Sequence, residues 1–118
     1  MQEIKRGDVW LVNLDPTIGH EIKKSRPALI IQNDIGNKYS PITIIAPLTS
    51  QNIENIYPVE VFIPKNISKL DKDSKILLNQ IRAIDKRRLV KKLGKVNQDI
   101  MERVDEALSI SLGLIKVD

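Results

Sequence analysis

The chain has 118 residues, 42% of them hydrophobic and 29% charged, the size and make-up of one folded domain spanning 1–118. It holds no cysteine and one histidine, His20, which excludes disulfides, thiolate catalysis, cysteine-based zinc sites and a nuclease pairing two imidazoles within one chain. A net charge of +4, no apolar run near the roughly 20 residues that span a bilayer, and a charged opening without a signal peptide's apolar stretch lead us to expect a cytoplasmic protein with no membrane partner.

Residues 8–14 (DVWLVNL) are rich in β-branched and aromatic side chains and read as a strand. Residues 15–26, with Pro16, Gly19 and three basic residues, read as a long exposed loop. A short buried strand follows at 27–32 (PALIIQ), ended by the turn chemistry of Asn33-Asp34 and Gly36-Asn37. Residues 42–49 (ITIIAPLT) form the next strand, where Pro47 argues for an edge or a bulge. At 58–63, Val59, Val61 and Ile63 share one face with Glu60 on the other. Residues 75–84 (KILLNQIRAI) read as one further strand with Gln80 and Arg82 on a common face. Short strands at this spacing predict a mainly β chain, an antiparallel meander or small barrel.

The period then changes. Asn97 is suited to an N-cap, and Ile100, Val104, Ala107, Leu108, Ser111 and Ile115 recur at helical spacing. Met101, Leu108 and Leu112 broaden the apolar stripe, so part of this closing helix is expected to face another subunit. No internal repeat, low-complexity tract or linker interrupts the chain.

Charge is segregated. Residues 86–95 hold six basic residues and no acid, Lys23, Lys24 and Arg26 form a second cluster, and Asp99, Glu102, Asp105 and Glu106 make the C-terminal region acidic. Such separation fits a face that attracts a polyanion, or simply solvated surface lysines.

Arg26 is held extended by the following proline and offers a planar fork of donors suited to phosphate; it could equally close an ion pair with Glu21 or Asp15. Thr49 opens the polar run Thr49-Ser50-Gln51-Asn52, and its hydroxyl could meet a phosphate oxygen or make a local turn. Glu21 reads as a general base, as a positioner of Arg26, or as an ordinary exposed loop residue. Gln80 and Arg82 could read base edges or phosphates, or engage an interface or Asp85. His20 reads as a surface residue, Trp10 and Phe62 as core, and Tyr39 and Tyr57 as exposed rings able to stack.

Four blocks carry a resemblance to a known family. KRGDVWLVNLDPTIGHEIKKSRPALIIQND (5–34), APLTSQ (46–51), LLNQIRAIDKRRL (77–89) and VDEAL (104–108) together resemble, in order and at family spacing, the MazF/PemK toxins. The resemblance implies an SH3-like β-barrel of the MazF/PemK/CcdB type with a C-terminal helix, acting as a homodimer. It also implies the toxin of a type II toxin-antitoxin system, a sequence-specific, metal-independent endoribonuclease that needs no cofactor. Such a toxin cuts single-stranded mRNA to 2′,3′-cyclic phosphate and 5′-OH ends and so inhibits translation and growth. Arg26, Thr49 and, more weakly, Glu21 match the family's catalytic positions. Lys23, Lys24, Ser50, Gln51, Gln80, Arg82, Lys86 and Arg87 are the implied RNA contacts. The implied inhibitor is a MazE-like antitoxin whose acidic tail fills the RNA groove. Many members carry small residues between the loop glutamate and the arginine, whereas this chain has Ile22, Lys23, Lys24 and Ser25. A CcdB-like gyrase inhibitor shares the implied fold, and a non-catalytic RNA-binding module is a third possibility.

Overall fold

Alternating side chains and a closing amphipathic segment produce an antiparallel sheet capped by a helix. The computed structural model describes residues 3–15, 19–20, 25–68 and 70–117. Within them run β1 (Asp8–Asn13), β2 (Ser25–Ile30), α1 (Asp34–Tyr39), β3 (Ile42–Thr49), β4 (Glu60–Ile63), α2 (Lys65–Ser68), β5 (Ser74–Leu77), β6 (Arg82–Asp85), β7 (Leu89–Lys95) and α3 (Gln98–Ser111). No helix of the described residues is long and apolar enough to cross a membrane.

The strand path is β4-β5-β3-β2-β1-β7, with β6 a further partner of β3. The strand β3 therefore belongs to two halves of the sheet. Its first residues, Ile42 to Ile45, pair with β6, and its last, Leu48 and Thr49, pair with β5. Pro47 falls between these ladders, so the residue that lacks an N–H sits where the strand changes partner. This corrects the expectation of an edge position: β3 is central, and the ladder, not the strand, is interrupted.

The same geometry splits the strand expected over 75–84. A chain that pairs first with the end of β3 and then with its beginning must leave the sheet between the two. It does so at 78–81, where the Gln80 N–H donates to the Leu77 carbonyl at 3.2 Å. Gln80 thus lies in a turn and shares no strand face with Arg82. Three further elements go beyond the sequence expectation. The short helix α1 replaces the turns read at 33–37, capped by the Asn33 side chain accepting from Gly36 N–H at 2.8 Å. The helix α2 follows Pro64. The basic run after Arg88 is the edge strand β7, whose lysines guard it against pairing with another chain.

Two apolar clusters face away from the sheet. One packs Ile100, Met101, Val104 and Ala107 of α3 against Val9, Leu29, Ala46, Leu48 and Ile76. The other gathers Ile4, Trp10, Val12, Leu14, Ala28, Ile30, Ile45 and Ile84 on the opposite side. Fully burying each such aliphatic side chain contributes about 1.5–3 kcal/mol. Trp10 is core as expected, Phe62 is half-buried, and Tyr39 and Tyr57 are exposed.

The Gly-Asp pair at the start of β1 has a physical basis. Gly7 sits at φ +96°, a conformation costly for other residues, while its N–H donates to the Ile30 carbonyl and its carbonyl accepts from Val96 N–H. Asp8 is buried, accepts the Lys5 amide at 2.9 Å and pairs with Lys92 at 3.3 Å. At the other end, Asn97 caps α3 by accepting Ile100 N–H at 3.0 Å. The helix stops at Ser111, short of the expected Ile115. Gly113 at φ +74° closes it, with Leu114 N–H donating to the Ser109 carbonyl and Gly113 N–H to that of Ile110.

Candidate active site

Arg26 lies inside β2, paired with Val12 of β1, extended as its position before Pro27 led us to expect, and so belongs to the strand and not to the loop read over 15–26. The backbone that carries it is therefore fixed by the sheet. On the other side of β2, the ladder to β3 pairs Ala28 with Pro47. That ladder ends there, so Arg26 and Thr49 each lie two residues beyond its last pair, at neighbouring ends of the two strands. Both residues line one cavity of about 540 Å³.

The walls of that cavity come from elements far apart in sequence. Leu11, Pro27, Leu48 and Leu93 supply apolar surface, and Ser50 adds a second hydroxyl beside Thr49. Lys91 reaches it from β7, and Asp71 and Lys72 from the segment before β5. Three cations against one carboxylate make the cavity suited to an anion with apolar portions, as a nucleotide is.

The Thr49 hydroxyl accepts the Gln51 amide at 3.2 Å. This is the local turn anticipated as the alternative to a phosphate contact, yet the two are compatible. A hydroxyl has one donor and two acceptor lone pairs, so accepting from Gln51 orients the oxygen and leaves its O–H to donate. Asn52 follows at φ +53°, a left-handed conformation that asparagine tolerates better than most residues.

The other candidates are distributed elsewhere. Gln80 and Arg82 line a second cavity of about 560 Å³ together with His20, Asn79 and Pro47. Arg82 donates to the Leu14 carbonyl at 3.2 Å and is not the partner of Asp85. That partner is Arg87, whose guanidinium bonds Asp85 at 3.0 Å and holds its carboxyl below the usual range. Lys86 donates to the Asn37 carbonyl and lines a smaller cavity with Lys5, Lys38 and Asp34. Ile42, at the start of β3, pairs with Asp85. Seven strand steps separate it from Thr49, about 23 Å, so Lys86 and Arg87 stand well away from Arg26. Glu21, Lys23 and Lys24 lie outside the described residues.

Sequence reasoning missed Asp71 and Lys72 at this site, and it read Lys91 only as part of a basic run. The signal for Lys91 was present in LVKKLGK, an apolar-flanked stretch with the composition of an edge strand. Nothing local marks residues 70–74, which reach the cavity through the pairing of β5 with β3. Among the described residues, no three His, Asp or Glu side chains are grouped to hold a metal ion.

An antiparallel sheet with a helix across one face and a cationic, hydroxyl-bearing cavity at the ends of β2 and β3 defines a small β-rich protein whose cavity suits an anion. Comparison with known proteins gives that class its name. Residues 5–112 match the family of PemK-like, MazF-like toxins of type II toxin-antitoxin systems, and the chain belongs to it. Among solved structures, MazF from Deinococcus radiodurans is 26% identical, with a TM-score of 0.83 over 96% of this chain and 99% of that one. MazF in its MazE-MazF complex from the same organism is also 26% identical, with a TM-score of 0.75 over 98% and 100%. An endoribonuclease from a mycobacterial species shares the fold at 22% identity, with a TM-score of 0.79 over 99% and 98%.

Proposed function

We propose that this toxin is an endoribonuclease that cuts single-stranded RNA, chiefly mRNA, at selected sequences without a metal ion or cofactor, and thereby blocks translation and growth. The observation that carries the reading is the placement of Arg26 and Thr49 on neighbouring strands, lining one cavity with Lys72 and Lys91. In the proposed step the ribose 2′-oxygen attacks the adjacent phosphorus while the bond to the 5′-oxygen breaks. The 2′-OH loses its proton and the departing 5′-oxygen gains one, which yields 2′,3′-cyclic phosphate and 5′-OH ends. Negative charge grows on the non-bridging oxygens in the transition state. A guanidinium fork and a hydroxyl donor beside them stabilise that charge more than they stabilise the ground state. A guanidinium is a poor base at neutral pH, so the role assigned to Arg26 is electrostatic.

Lys72 and Lys91 attract the flanking phosphates, and the Gln80–Arg82 cavity offers amides and a guanidinium for base edges. The same positive surface suits the acidic tail of a MazE-like antitoxin, in keeping with the MazE-bound MazF relative. The test is a labelled single-stranded RNA incubated with the purified protein in EDTA, followed by analysis of the product ends. Cutting to cyclic phosphate and 5′-OH ends is expected. Activity that vanishes in EDTA and returns with Mg²⁺ would overturn the mechanism, and uncut RNA together with gyrase inhibition would select the CcdB-like alternative.

A further inference from the structure

The cavity is not the only place where charge is organised. Lys75, in the middle of β5, is 3% exposed, and its ammonium is 2.8 Å from Glu60 Oε1, a carboxylate almost as deeply buried. Removing two charges from water is costly and rarely gains stability over an apolar pair, so the arrangement calls for another role. Its surroundings indicate one. Lys75 pairs with Thr49 on one side and Phe62 on the other, which puts the Thr49 and Lys75 side chains on the same sheet face.

From there Lys75 reaches the connection between β3 and β4. Its ammonium donates to the Asn55 carbonyl at 3.0 Å and lies 5.6 Å from the centre of the Tyr57 ring. Glu60 Oε1 also accepts the Tyr57 amide at 3.0 Å. Residues 51–58 are exposed apart from the half-buried Ile53, so little apolar packing orders them. The hydrogen bonds continue back to the active-site hydroxyl. Asn55 donates to Asn52 through its side chain at 3.0 Å and its backbone at 3.3 Å, and the Gln51 amide donates to Thr49 Oγ1.

We propose that the buried Lys75–Glu60 pair is a positioning device for the reaction: it clamps residues 55–57 to the sheet and, through Asn52 and Gln51, sets the Thr49 hydroxyl in the cavity. Lys75 touches no substrate; it acts through Thr49. The inference rests on the reading of the Arg26–Thr49 cavity as the RNA-cleaving site.

The experiment pairs Lys75→Met with Glu60→Gln, so that no buried charge is left alone, in backgrounds with Thr49 and with Thr49→Ala. Single-turnover cleavage of a labelled single-stranded RNA at saturating protein should fall by about tenfold or more with Thr49 present, as small misplacements of reacting groups do. RNA affinity should hold. In the Thr49→Ala background the pair should cost nothing further, because the group it positions is gone. Hydrogen exchange should show the Gln51 and Tyr57 amides losing protection while those of β2 keep theirs. An equal fold-loss in both backgrounds, or unchanged exchange at 51–57, would overturn the proposal. Should the double variant not fold, Asn55→Ala removes the side-chain bond to Asn52 from the same path at an exposed residue and should give a smaller loss that also disappears with Thr49→Ala. If the unaltered protein leaves RNA whole, the reading of the site fails, while the exchange measurement still decides the clamp.

Discussion

In the proposed reaction, Arg26 and Thr49 divide the work of one phosphate between a charge and a dipole. Arginine is suited to its place because the fork is planar, always charged and carried on a paired strand, so its approach angle is set by β2. Thr49 is suited to its place because the Gln51 amide fixes the oxygen and spares the proton. Thr49→Ser keeps the oxygen, the turn and the donor, and should retain most of the cleavage rate. Thr49→Ala should slow single-turnover cleavage by about 10²-fold, the usual cost of removing one donor from a developing oxyanion. A serine variant as slow as the alanine one would contradict the hydroxyl's role. Both residues could be singled out in the sequence because each stands beside a local marker, a proline and a polar run. Lys72 and Asp71 carry no such marker. Their place in the cavity depends on strand pairings between residues more than 20 positions apart, which no local pattern encodes.

At the scale of elements, the strands with clean alternation and the capped helix were legible, and those with divided partners were not. Residues 75–84 look like one strand because composition reports β-propensity, whereas the break at 78–81 is imposed by β3, which pairs with the two halves separately. The helix α1 was hidden behind Gly36, a residue that reads as a turn. Here a Cβ at that position would come within 2.9 Å of the Gln32 amide and push it from its bonds to Asn37 and the Ile42 carbonyl, so glycine serves packing inside the helix. The cap of α3 was readable, and Asn97→Ala should destabilise the protein by about 1 kcal/mol in urea unfolding. No change would contradict the capping bond. The start of α1 offers a pH test. The Arg6 backbone N–H bonds the Asp34 carboxylate at 2.7 Å and lowers its pKa, against the opposing effect of burial and with help from the Asn37 side chain. A depressed folded pKa means stabilisation present above the ordinary carboxylate value and lost as pH falls through the depressed one. The urea midpoint of Asp34→Asn should therefore lie below that of the unaltered protein at neutral pH. The gap should close below about pH 4, and a pH-independent gap would contradict the linkage.

The whole molecule leaves apolar side chains uncovered at one end. Leu112, Leu114, Ile115 and Val117 follow the last turn of α3, each roughly half exposed or more. Clustered exposure of this kind is a feature of surfaces that bury themselves in a partner, and isologous pairing of two copies is the economical way to cover it. Light scattering at micromolar concentration should give a mass of twice 13.4 kDa; a monomer mass would contradict the dimer. Positive charge is likewise a property of the assembled molecule. The run over 86–95 is continuous in sequence, but folding sends Lys91 to the Arg26 cavity, Lys92 to Asp8 and Lys86 to Asn37. What reads as one polyanion-binding patch is therefore divided among separate tasks. The central claim is that Arg26 acts on charge that appears only during the reaction. Single-turnover cleavage at saturating protein removes differences in binding and tests it most directly. Arg26→Ala should cut about 10²-fold more slowly or worse, and Arg26→Lys should recover little of the loss. RNA affinity should fall far less, because Lys72 and Lys91 still attract the backbone. An Arg26→Ala protein that cuts at the unaltered rate under those conditions would contradict the account.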